Sequence, residues 1–114
     1  MKMRADTLAK KFASKEYRDS FVAAHARQFV ARQIRGLRGD LSQEEFAATL
    51  AMPQSSISRL ENPAKGMHLQ TLFEVAAKLD RAVFVRIVDF DTFIQLSGDQ
   101  GDAAICPPAY GAKP

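Results

Sequence analysis

A proline between two short helical patterns is the strongest constraint on how this chain folds. The stretch LSQEEFAATLAMPQSSISRLENP covers residues 41–63, and Pro53 lies between its two halves. Proline has no amide hydrogen, and it disfavours helical geometry in the residue before it, so one continuous helix cannot cover the stretch. Proline is tolerated at the start of a helix. The sequence therefore predicts two short helices joined by a tight turn.

The boundaries of the first helix follow from its capping residues. Ser42 and Glu45 have the spacing of a capping box, in which each side chain accepts a hydrogen bond from the backbone amide of the other residue. The helix is expected to continue to about residue 50, with Phe46, Ala47 and Leu50 on one face. A helix of this length is marginal alone, so that face must pack against other elements.

The second helix is expected to run from about residue 54 to residue 61 and to bury Ile57 and Leu60. Its outer face would then carry groups that suit base edges, because Gln is bidentate to adenine, Arg is bidentate to guanine, and Ser pairs with either. An exposed helix start also offers free amides to phosphate. The polar residues of this outer face are Gln54, Ser55, Ser58, Arg59 and Asn62.

The flanking sequence predicts two further helices. Residues 14–37 have helical periodicity, as one helix or as two that break near residues 25–28, and Gly39 is a plausible left-handed stop. Residues 69–79 are expected to form a third short helix. The tail from residue 97 is rich in Gly, Pro, Ala and Asp, so we expect it to be poorly ordered.

The hydrophobic period changes at residues 82–90, AVFVRIVDF, which are β-branched and aromatic and predict a strand. No other segment predicts a strand equally well. A lone strand has open edges, and even an isolated two-stranded hairpin is marginal. We therefore expect the strand to pair antiparallel with the same strand of a second copy across a two-fold axis. The pairing residues are Val83, Phe84, Val85, Arg86, Ile87 and Val88.

Composition favours one soluble domain, and the charge is unevenly distributed. Of the 114 residues, 46% are hydrophobic and 25% are charged, and no apolar run approaches the length of ~20 residues that spans a bilayer. Residues 1–38 contain ten Lys and Arg against three Asp and Glu, a net charge of +7, whereas the remainder has a net charge of −4. The basic segment 1–38 has two interpretations: it binds a polyanionic partner, or it is a solvated helix face. With no signal peptide expected, the default location is cytoplasmic.

Two segments of this stretch, SQEEFA and SSISRLEN, together with the turn AMP, resemble the helix-turn-helix of the Xre family, which includes the Cro and lambda-type phage repressors. Through LQTLFEVAAKLDRAVFVRIVDF the chain is similar to small Xre-type regulators in which a β-strand follows the helical domain. The resemblance covers about residues 22–93. It implies a repressor or autoregulator that binds a palindromic operator in double-stranded DNA as a homodimer, with residues 54–61 in the major groove.

The resemblance also implies a role for each matched residue. Arg38 and Glu61 would form a structural ion pair that holds the second helix to the scaffold. Gln43 would contact phosphate and brace that helix. Base contacts are implied for Gln54, Ser55 and Arg59. Contacts with phosphate or bases are implied for Ser56 and Ser58. Contacts with phosphate are implied for Asn62 and Lys65.

Three departures from the family pattern concern the turn. Ala51 stands where Gly is usual, and it would be strained by roughly 1 kcal/mol if the site is left-handed. Pro53 replaces the usual Ser or Thr, which removes a side-chain cap worth about 1 kcal/mol. The link across residues 37–42 is also shorter than is typical.

The expected fold class is therefore mainly α: a lambda-repressor-like helix-turn-helix bundle with an N-terminal helical extension and one C-terminal β-strand. Its predicted parts are a basic flexible arm at 1–13, the DNA-binding domain at 14–96 and a flexible tail at 97–114. An antitoxin from a toxin–antitoxin operon is an alternative, with the arm or tail binding the toxin. A protein-interaction module is another. No enzyme, cofactor or metal site is expected, because His25, His68 and Cys106 lack partners at functional spacing.

Overall fold

The structure is a computed structural model that describes residues 10–112, and this part of the chain is mainly helical. The mainly α fold is thereby confirmed. The helices are α1 (Lys15–Arg38), α2 (Gln43–Thr49), α3 (Gln54–Glu61), α4 (Leu69–Lys78), α5 (Phe90–Ser97) and α6 (Asp102–Ile105). The bounds of α2, α3 and α4 agree within a residue with those that the sequence predicts. Most of the predicted basic arm, residues 1–9, lies outside the described residues.

One continuous helix, α1, occupies the region for which the sequence left one helix or two open. The Ser14 side chain begins it by accepting a hydrogen bond from the Tyr17 amide at 3.2 Å. Gly39 ends it at φ +61°, and its amide donates to the Arg35 carbonyl. At 1.5 Å per residue, α1 is about 36 Å long. It is therefore long enough to serve different neighbours at its two ends.

The hydrophobic core lies between the carboxyl-terminal half of α1 and the helices that follow it. Helix α3 packs against both α1 and α2, and Ile57 at its centre is fully buried. Ala47 is 2% exposed, and its small side chain allows a close approach of α2 to α3. The buried members of this core are Ile34, Phe46, Ala47, Leu50, Met52, Ile57, Leu60 and Val75.

A second cluster, of aromatic rings, joins the amino-terminal half of α1 to α5. His25 on α1 meets the ring of Phe93 on α5 edge-on, with centroids 5.4 Å apart, and burial lowers the pKa of this histidine. Phe12 is only 6% exposed and contacts Phe90 and Phe93. The last residues of the predicted flexible arm are therefore packed, because Phe12 lies against these rings. The cluster contains Phe12, Tyr17, Phe21, His25, Phe29, Phe90 and Phe93.

Residues 82–90, for which the sequence predicts a strand, form no strand within residues 10–112, and Phe90 is helical. Phe90 begins α5 because Asp89 caps that helix, accepting hydrogen bonds from the Thr92 amide at 3.1 Å and the Thr92 hydroxyl at 2.6 Å. Residues 83–88 are not helical, and their backbone groups form no hydrogen bond within the described residues. A strand is defined by hydrogen bonds to a partner strand, and the proposed partner belongs to a second copy. Pairing with that copy therefore stays a prediction.

Residues 98–112, for which the sequence predicted a flexible tail, fold back on the domain. Helix α6 lies against α1, where the Gln33 side-chain amide donates to the Ala104 carbonyl at 2.9 Å. Farther along, Arg81 Nε donates to the Pro107 carbonyl at 2.7 Å. These contacts join chain segments about 26 and 71 residues apart. Local composition therefore gave no indication of them.

Candidate nucleic-acid interface

The turn between α2 and α3 is a Schellman motif. The amide of Met52 donates to the Ala47 carbonyl at 2.9 Å, and the amide of Ala51 donates to the Ala48 carbonyl at 3.1 Å. Ala51 occupies the left-handed position of the motif, with φ +52°. The sequence departs from the family pattern at this residue, and the structure places an alanine in a conformation that strains its Cβ.

Lys78 of α4 supports the same turn from outside the motif. Its ammonium group donates to the Leu50 carbonyl at 2.7 Å and lies 3.6 Å from the Glu74 carboxylate. The carbonyls at the end of a helix have no partner within that helix, so this contact satisfies one of them at the end of α2. This role of Lys78 could not be predicted from the sequence, because nothing local connects it with a residue 28 positions earlier.

The start of α3 presents free backbone donors. Pro53 is the N-cap, at φ −63°, and it makes no side-chain cap, as its identity predicts. The amide of Ser56 donates to the Pro53 carbonyl at 3.1 Å, whereas the amides of Gln54 and Ser55 have no hydrogen-bond partner within residues 10–112. Two N–H groups at a positive helix end are thus available to an anion.

The outer face of α3 carries the side chains predicted to contact bases. Gln54, Ser55 and Arg59 are exposed, whereas Ser56 and Ser58 are half-buried. Arg59 forms no ion pair within the described part of the chain. The structure therefore brings the three predicted base-contacting residues onto one exposed surface, with the two other serines nearer the scaffold.

The loop after α3 positions Asn62 and Lys65, for which the resemblance implies contacts with phosphate. The Asn62 side-chain oxygen accepts from the Ala64 amide at 3.0 Å, so its NH₂ group is directed away from that bond. The Lys65 amide donates to the Asn62 carbonyl at 3.1 Å. Both side chains are exposed, which leaves their donors accessible to an anion.

A buried carboxylate fixes α3 to the rest of the domain. The Glu61 side chain is 4% exposed, and it accepts from Arg38 through Nε at 2.8 Å and Nη2 at 2.9 Å. These hydrogen bonds raise the pKa of the Arg38 guanidinium. Gln43 Nε2 also donates to Glu61, at 3.2 Å. Arg38, Gln43 and Glu61, here called the Glu61 triad, therefore connect α1, α2 and α3.

Comparison of the chain with protein-family models, curated proteins and solved structures finds no match. The resemblance to Xre regulators thus rests on the residues quoted above. Within residues 10–112, no helix has both the length and the apolar character needed to cross a membrane. In the same range, no group of three or more His, Cys, Asp or Glu is placed to hold a metal ion.

Ala51→Gly should stabilise the protein. Glycine removes the left-handed strain at φ +52°, and the free energy of unfolding should rise by about 1 kcal/mol. Ala48→Gly is the matched control, because this exposed residue lies within α2 and should lose about 1 kcal/mol. Urea denaturation of both variants measures the difference. Equal destabilisation by both changes would contradict the strain at residue 51.

Glu61→Gln should destabilise the protein, because Arg38 would exchange a charged, buried acceptor for a neutral amide oxygen. We expect the free energy of unfolding to fall by about 2 kcal/mol, measured by thermal and urea unfolding. Glu44→Gln is the control, since Glu44 is an exposed neighbour on α2. A loss no larger than in the control would show that the Glu61 triad contributes little to stability.

Proposed function

We propose that this chain is a sequence-specific DNA-binding transcriptional regulator, a repressor or autoregulator that binds a palindromic operator through α3 in the major groove. The observation that carries the proposal is the two-sided character of α3. Its inner side is fixed by Ile57, Leu60 and the Glu61 triad. Its outer side is polar and exposed, which suits contact with base edges.

In the proposed complex, α3 and the loop after it contact both the bases and the phosphate backbone of the DNA. Gln54, Ser55 and Arg59 supply side chains for base edges. The free amides at the start of the helix, together with Asn62 and Lys65 after its end, supply donors for phosphate. Phosphate contacts fix register and orientation, and base contacts supply specificity. Most of the affinity would then come from phosphate and fall as salt rises.

A homodimer is the second part of the proposal. Within residues 83–88, Phe84 is 80% exposed and Ile87 is fully exposed. Their backbone donors and acceptors have no partner within the described chain. Pairing with the same segment of a second copy would give these backbone groups hydrogen-bond partners and would cover part of the exposed apolar surface. In the usual geometry it would present two α3 helices roughly 34 Å apart, one helical turn of DNA.

The antitoxin function is the alternative that a further observation favours. Leu69 and Phe73 lie one turn apart on α4, and each is 46% exposed, which provides an apolar surface for a protein partner. An antitoxin would repress its own operon and bind a toxin there. A neighbouring reading frame for a toxic enzyme would support this alternative.

A protein-interaction module would bind DNA no more tightly than the non-specific level.

Selection of bound sequences from random duplex DNA tests the proposed function directly. We expect enrichment of a palindromic site, because two copies of α3 would contact it around a two-fold axis. Failure to enrich any site would contradict sequence-specific binding. An enriched site without two-fold symmetry would contradict the homodimer while leaving DNA binding in place.

Arg59→Ala should weaken binding to the selected site by about 1–3 kcal/mol and relax the preference at one base position. Repeating the selection with the variant shows which position changes. Lys15→Ala is the control, because this exposed cation lies at the far end of α1 and pairs with Asp19. An equal loss on all DNA sequences would make Arg59 a phosphate contact instead of a base contact.

Ile87→Lys should abolish the dimer without unfolding the monomer, because this side chain is fully exposed within the single chain and a charge disfavours strand pairing. The molar mass measured by light scattering, over a range of concentrations, should fall from that of a dimer to that of a monomer. Tyr110→Lys is the control, since Tyr110 is 88% exposed but lies outside residues 83–88. An unsubstituted chain that stays monomeric at high concentration would contradict the proposed dimer.

A further inference from the structure

Arg35 lies on α1, one turn before Arg38, and reaches the carboxyl-terminal end of α3. Its Nη1 donates to the backbone carbonyl of Glu61 at 3.2 Å. The side chain is nevertheless exposed. A cation at a helix carboxyl terminus interacts favourably with the helix dipole, so this contact fixes one edge of the guanidinium beside the last turn of α3.

The other donors of Arg35 are unused within residues 10–112. The Glu61 carboxylate accepts from Arg38 and Gln43, whereas the contact of Arg35 is with the Glu61 backbone carbonyl. Arg35 forms no ion pair in this part of the chain, and its Nε and Nη2 groups have no hydrogen-bond partner there. The edge formed by Nε and Nη2 is the pair of parallel donors that binds a carboxylate or phosphate in bidentate fashion.

The chain that leaves α3 adds donors of the same kind near this point. Asn62 directly follows Glu61, and Lys65 is joined to it by a backbone hydrogen bond. All three side chains, Arg35, Asn62 and Lys65, are exposed. No acidic residue lies in the loop between Glu61 and the start of α4. The carboxyl-terminal end of α3 is thus bordered by donors from two separate parts of the chain.

We infer that Arg35 is a phosphate-binding residue that holds the carboxyl-terminal end of α3 on the DNA backbone. This inference rests on the proposed DNA-binding function. The free amides of Gln54 and Ser55 would bind phosphate at the start of α3, and Arg35 would do so at its end. Contacts at both ends restrict how the helix tilts in the groove. The bond to the Glu61 carbonyl orients the guanidinium before DNA arrives, which lowers the entropic cost of the contact.

The test is the salt dependence of DNA binding by Arg35→Gln. Affinity is measured across a series of KCl concentrations, for a mixed-sequence duplex and for the site obtained by selection. We expect the variant to lose affinity by the same factor on both duplexes. We also expect the slope of log K against log salt to become less steep by about 0.9, the value for one lost phosphate contact. Arg35→Lys keeps the charge and should retain most of the slope.

Arg32→Gln is the matched control. Arg32 lies on the same helix, three residues earlier, but its guanidinium donates to Gln100 of the folded-back tail. Its substitution should leave the slope unchanged. Thermal unfolding of each variant accompanies the binding measurements, because a purely structural role of Arg35 at the Glu61 carbonyl would lower stability without changing the slope.

Each remaining outcome has a defined meaning. If Arg35→Gln binds with the slope of the unsubstituted chain, the inference is wrong and the proposed function stands. If it weakens only the selected site, Arg35 contacts a base, and the phosphate assignment is wrong. If the unsubstituted chain binds neither duplex, the proposed function fails, and the inference fails with it.

Discussion

The arrangement of the helix-turn-helix depends on one buried charge, the carboxylate of Glu61. Removing an ionised carboxylate from water is costly unless it is paired and hydrogen-bonded, and Glu61 obtains both from Arg38 and Gln43. Because these partners lie on α1 and α2, the carboxylate is satisfied only when three helices have one relative arrangement. The apolar core around Ile57 stabilises α3 in its place, but it is less directional than these hydrogen bonds. The orientation of the exposed face of α3 therefore follows from a polar interaction beneath it.

The turn shows how a locally unfavourable sequence is accommodated. Ala51 adopts a left-handed conformation without glycine, and Pro53 begins α3 without a side-chain cap. Both features weaken the turn as judged from the sequence alone. Two backbone hydrogen bonds of the Schellman motif and the ammonium group of Lys78 compensate for them. Loss of the cap also leaves amides free at the start of α3, which is useful to a helix proposed to bind phosphate there.

Features encoded by neighbouring residues could be predicted from the sequence, and features that depend on distant contacts could not. The capping box of Ser42 and Glu45 and the break at Pro53 define α2 and α3 locally, and the structure has both. Helix α5 was missed because the β-branched and aromatic run of residues 82–90 predicts a strand, whereas Asp89 within it caps a helix held by distant aromatic rings. The folded-back tail was missed because its partners, Gln33 and Arg81, are remote in sequence. The predicted strand would pair between two chains, so one chain does not contain its partner.

Helix α1 connects the two surfaces on which the proposed function depends. Its carboxyl-terminal end holds α3 through Arg38 and supplies Arg35 beside the same helix. Its amino-terminal half holds α5 through the aromatic cluster, and α5 begins two residues after the segment 83–88. An unbroken helix of 24 residues is rigid and fixes the relative positions of its two ends, because a sharp bend would break backbone hydrogen bonds. In the proposed dimer, the distance between the two α3 helices would therefore be set by a rigid connection within each chain. The aromatic packing of α5 would then affect DNA binding, although α5 lies far from α3.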